Sequence, residues 1–104
     1  MATSEAVGFK SISVLTIDAD WALVDTVSKF SCSGVLLKGI TLVPGAGGAN
    51  VFAIKDADEN GAYLYLSSLT ATAVIVYPYG IVCRPFIDYS ECTLRSGHIV
   101  TFMW

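Results

Sequence analysis

The sequence predicts an all-β domain, an antiparallel β-sandwich or jelly-roll-like fold of about eight strands. Three observations predict it. Apolar and polar residues alternate with a period of two along most of the chain. Gly, Pro and Asn punctuate the runs at spacings that suit hairpins. The 104 residues are also enough for one domain, spanning 1–104, with a core of its own.

The first expected strand runs from Phe9 to Ile17, where Val14-Leu15 breaks strict alternation and suggests a bulge. Val35 to Val43 reads as a long strand interrupted by Gly39. Val51 to Asp56 follows the glycine-rich loop from Pro44 to Asn50. Ala62 to Ser67 alternates cleanly, with Ala62, Leu64 and Leu66 on one face and Tyr63 and Tyr65 on the other. Thr72 to Tyr77, Ile81 to Ile87, Ser90 to Arg95 and His98 to Met103 complete the set. Asn60-Gly61 and Ser96-Gly97 supply residues that tolerate positive φ in tight turns. Pro78-Tyr79-Gly80 separates two apolar runs, and Pro85 requires an edge or a bulge.

Between Asp18 and Gly34 two readings stand. Asp20 can cap a short helix with Leu23, Val27 and Phe30 on one face. Alternatively Trp21, Leu23 and Val27 share one face of an irregular strand. A long connection with a helical turn is the reading adopted.

Composition narrows the function. Hydrophobic residues make up 54% of the chain and charged residues 14%, with mean hydropathy +0.62. A soluble domain ordinarily carries about 25% charged residues. A domain this small has too little interior for so many apolar side chains. A membrane helix needs about 18 consecutive apolar residues, whereas the longest run here is Ala73 to Tyr77, ended by Pro78. The surplus therefore points to protein partners rather than a membrane. No secretory signal is legible at the amino terminus. The net charge is −3, and the six cations Lys10, Lys29, Lys38, Lys55, Arg84 and Arg95 are dispersed. A nucleic-acid partner is not expected.

Candidate chemistry is sparse, and no catalytic set or cofactor is expected. Asp56-Ala57-Asp58-Glu59-Asn60-Gly61 matches the opening of a calcium loop, which makes Asp56, Asp58 and Asn60 candidate ligands. The twelfth position is Ser67 instead of a bidentate Glu, and the flanks read as strands, so a solvated hairpin tip is preferred. Gly45 to Gly48 lacks the Gly-Lys-Ser/Thr of a phosphate loop and reads as a flexible loop, able to reach a neighbouring subunit. His98 is the only histidine and reads as a strand-end residue. Cys32, Cys83 and Cys92 show no metal spacing and read as reduced, buried thiols, with a Cys83–Cys92 bridge as the alternative.

Aromatic residues crowd the second half of the chain, and Tyr63, Tyr65, Tyr79, Phe102 and Trp104 are the candidate interface residues. The apolar ending Phe102-Met103-Trp104 suggests a docked last strand. An acidic β domain of this size, with no signal, catalytic set or basic patch, resembles the small accessory proteins of tailed-bacteriophage particles. These are head-decoration (cement) proteins and small tail or neck components. The resemblance covers the chain in size, composition and strand pattern and carries over no individual residue. It implies a structural, non-enzymatic virion protein, assembled in the host cytoplasm. Its partners would be copies of itself, or capsid or tail subunits. The competing expectation is a ligand-binding module, for carbohydrate above all, that uses the Tyr63/Tyr65 face.

Overall fold

A computed structural model describes residues 2–6, 11–23 and 34–104, the first of these as backbone alone. It is an antiparallel β-sandwich, as the alternation predicts. The described strands are β1 (Ala2–Ala6), β2 (Ser11–Leu15), β3 (Trp21–Ala22), β4 (Val35–Val43), β5 (Asn50–Asp56), β6 (Tyr63–Leu69), β7 (Ala73–Cys83), β8 (Pro85–Ile87) and β9 (Ile99–Met103). One sheet has five strands in the order β1-β2-β9-β4-β7, the other four in the order β3-β8-β5-β6. The suggested helical turn through Val27 and Phe30, the start of the first expected strand at Phe9, and Cys32 lie outside the described residues.

Alternation sorts the side chains of the five-stranded sheet into two faces. Across β2, β9, β4 and β7 the register aligns Ile12, Phe102, Ile40 and Ile75 in one inner row, and Val14, Val100, Leu42 and Ala73 in the next. These rows meet Phe52, Ile54 and Ile87 of the four-stranded sheet in a single core. Trp21 of β3 stacks on Phe102 of β9 across the sandwich, with ring centroids 5.4 Å apart and planes within 4°. Parallel stacking of this kind adds to the area each ring buries.

Several expectations about the strands are corrected. The register of β2 to β9 runs unbroken from Ser11↔Met103 to Leu15↔Ile99, so no bulge falls at Val14-Leu15. Pro78-Tyr79-Gly80 does not separate two strands: both halves of β7 pair with β4, and the segment is a bulge within one strand. Gly39 marks the matching irregularity on β4, as its place in the sequence suggested. The strand expected over Ser90 to Arg95 is a 3-10 turn, Tyr89–Glu91, after which Thr93 alone pairs back with Val51. The chain leaves β5 after Asp88 and rejoins it at Thr93, each contact closed by backbone hydrogen bonds. Pro85 opens β8, where a missing donor is tolerated.

Candidate protein-docking surface

The five candidate interface aromatics do not share a surface. Tyr79, at the crest of the β7 bulge, is 95% exposed. Tyr63 is exposed too, but its hydroxyl is held by Glu91 and its ring lies 4.9 Å from the Lys55 ammonium. Tyr65 is half-buried and packs against the core. It parts from Tyr63 because β6 carries a bulge: Lys55 pairs with Tyr63 but Ile54 pairs with Tyr65, which skips Leu64. One extra residue sends the two tyrosines to opposite faces. Phe102 is fully buried, since β9 is an interior strand, and it belongs to the core rather than to an interface. Trp104 is half-buried against that core.

Two carboxylates of the acidic loop are held by backbone amides. Asp56 Oδ1 accepts the Arg84 amide at 2.8 Å, and Asp58 Oδ1 accepts the Asn60 amide at 2.9 Å. The first bond ties the loop to the junction of β7 and β8, and the second closes a local turn. The positive φ of the turn falls on Ala57, at 73°, and not on Asn60-Gly61. Gly61 is needed for a different reason: a Cβ there would collide with the Asp56 carbonyl. Among the described residues no group of three or more His, Cys, Asp or Glu side chains could hold a metal ion.

The glycine-rich loop is pinned rather than free. Asn50 is fully buried, and its side-chain oxygen accepts the amides of Gly45 and Arg95 at 3.0 and 2.9 Å. Its amide nitrogen donates to the Gly45 and Gly48 carbonyls, each at 3.1 Å. One side chain thus makes all four bonds open to it. His98 is engaged in a similar way. Nε2 accepts the Ile17 amide at 2.8 Å, and Nδ1 donates to the Arg95 carbonyl at 2.7 Å, which fixes the neutral tautomer. Cys83 and Cys92 are separate free thiols, so they form no bridge. Burial pushes the Cys83 thiol up to about 11 and the Cys92 thiol upward as well.

The outer face of the four-stranded sheet is closed by charge. Lys55 Nζ donates to the Glu59 carbonyl at 2.8 Å, to Asp88 Oδ2 at 2.9 Å and to Glu91. Three partners use all three donors of the ammonium. The hydrogen bonds to Glu91 and then Asp88 raise the Lys55 pKa, while bonds from Ser90 and then Lys55 lower Asp88 to about 2. The Glu91 hydrogen bond also raises the Tyr63 phenol. Nothing in the strand sequence Asn50–Asp56 foretells this cluster, because its acids come from the turn after β8.

The outer face of the five-stranded sheet is the reverse case. Register aligns Ser11, Met103, Gly39 and Val76 in one row, Ser13, Thr101, Thr41 and Val74 in the next, and Leu15, Ile99 and Val43 in a third. None of these residues is charged; the exposed cation of β4 is Lys38, which stands opposite the irregular part of β7. Along β7, Val74, Val76 and Val82 are 62%, 65% and 75% exposed, and Leu36, paired with Val82, is 47% exposed. Ser13 and Thr101 use their hydroxyls on each other at 2.8 Å. No other described element lies across the valine margin. A legible signal did exist: no Asp, Glu, Lys, Arg or His occurs between Glu59 and Arg84. That stretch is β6 and β7, each an edge strand of its own sheet.

No protein-family model, curated protein or solved structure matches this chain. Among the described residues no helix is long and apolar enough to cross a membrane.

Proposed function

We propose that this chain is a structural assembly protein that docks on other protein subunits through the apolar β7 margin and the adjoining outer face of its five-stranded sheet. The observation that carries the reading is the row of exposed valines on β7, continued by Leu36 and Tyr79. Scattered apolar residues on a surface need no explanation, but a contiguous uncharged strip along a sheet margin marks an interaction site. Exposed β-branched and aromatic side chains on a rigid sheet also lose little freedom on binding. The carbohydrate-binding alternative required Tyr63 and Tyr65 on one face, and the β6 bulge separates them.

The setting proposed for this role is a phage particle, on the likeness in size, composition and strand pattern to small virion accessory proteins. A gene lying beside capsid or tail genes is expected; a location remote from any of them counts against that setting. For the docking itself, light scattering on the purified chain should show association that grows with concentration. Replacing Leu36 and Val82 together by Lys should lower the average mass without unfolding the domain. Single copies at high concentration, with the double variant behaving identically, would overturn the reading.

A further inference from the structure

β7 ends the five-stranded sheet, with β4 on one side and no described strand on the other. Alternate residues of such a strand turn their N–H and C=O groups outward, and only another extended strand completes them in register. Natural sheets blunt an edge with charges, Pro or bulges. β7 has Pro78 and a bulge, but both lie beyond its first half. Tyr77 to Gly80 stand opposite Lys38 alone, between the pairs Gly39↔Val76 and Leu37↔Ile81. The bulge leans over the outer face: at Gly80, φ 72°, a Cβ would come within 2.6 Å of Leu36 Cγ. It therefore leaves the lateral edge of Ala73–Val76 open, where the register with β4 is unbroken.

Resting on the docking reading above, we infer that this edge pairs with a second copy of the chain, antiparallel about a two-fold axis at Ile75, so that two five-stranded sheets continue as one. The absence of charge selects the occupant. A two-fold axis brings each residue close to its own kind, and a charged strand would meet like charge there. From Glu59 to Arg84 no charge intervenes, so the edge meets its own copy without that penalty and offers nothing to attract a charged foreign strand. In the register centred on Ile75, Val74 faces Val76 of the partner subunit on the outer side. Ile75 faces its counterpart on the inner side. β-branched pairs of this kind suit antiparallel ladders. Ile75 and Tyr77 are also only partly buried at the margin of the core, and pairing would close that open flank.

Charge complementation tests the register. Val74→Lys with Val76→Lys, and separately Val74→Glu with Val76→Glu, should each reduce the chain to single copies of 11.1 kDa in sedimentation. Mixing equal amounts of the two variants should restore a two-chain species, because each lysine then faces a glutamate. The wild-type chain should exceed two copies on average, and Leu36→Lys with Val82→Lys should lower that to two. Melting curves confirm that each variant is folded, as expected at such exposed positions. Failure of the mixture to form two-chain species overturns the self-pairing. If the wild-type chain still associates and the Leu36/Val82 variant lowers its mass, the docking reading survives that failure. A single-copy wild-type chain whose binding to a different subunit is lost on Val74→Lys with Val76→Lys would assign the edge to a foreign strand. That result too would overturn the inference.

Discussion

The two sheets turn contrasting outer faces to their surroundings. On the four-stranded sheet a lysine from β5 is enclosed by Asp88, Glu91 and the Glu59 carbonyl, and a 3-10 turn lies beside it. On the five-stranded sheet the corresponding rows are Val, Leu, Ile, Thr, Ser, Gly and Met, with Lys38 exposed on β4 and no salt bridge among the described residues. The first face is finished within one chain: every donor of its cation has an acceptor. The second is stable as it stands but leaves apolar area and a strand edge in water. A small domain has enough secondary structure to cover one outer face with its own turns and little left for the other. The face that the described residues leave open is where a bound subunit would take most apolar area out of water.

That contrast can be broken from either side. The largest effect is expected from Lys55→Met, which leaves Asp88 and Glu91 close together without their cation. Melting temperature should fall by on the order of 10 °C, because an acid left buried and unpaired is costly. A melting temperature equal to the wild type would mean that the cluster is not what holds the turn over β5. A smaller effect is expected from acid. The folded-state pKa of Asp88, about 2, lies below its ordinary 3.8. Its stabilising contribution is therefore full above pH 3.8 and is lost as pH falls through 2. Asp88→Asn should remove that part of the acid dependence, so a variant whose stability falls as steeply over this window would contradict the assignment. The smallest effect belongs to the bare face. Val82→Lys should change the stability of the single folded chain by less than about 0.5 kcal/mol, measured by urea denaturation in dilute solution. A larger loss would show that Val82 is supported by packing within the chain.

Much of the fold was legible because alternation is a local property. Val35–Val43 coincides with the expected strand, and the irregularity at Gly39 was visible as a missing side chain in an apolar run. The hairpin-like loop at Asp56–Gly61 was placed correctly, although its positive φ sits on Ala57. Sidedness was less secure. Tyr63 and Tyr65 obey a period of two in sequence, yet a single bulge against β5 puts them on opposite faces. Pro78 read as a strand end because it removes a donor, but at the margin of a sheet that donor has no partner to lose. Phe102 looked like a terminal aromatic free for binding; it is central because β9 lies between β2 and β4.

By itself the amino-acid order determined that this chain would form sheets, where most strands would lie, and that its apolar residues would outnumber the interior places for them. Those follow from side-chain period, turn chemistry and composition, each readable over a few residues or as a sum. Only the tertiary structure decided which strands would be edges, which faces would be covered and where Lys55 would find its acids. Strand order and cross-strand register join segments far apart in the chain, and no local pattern encodes which segment will pair with which.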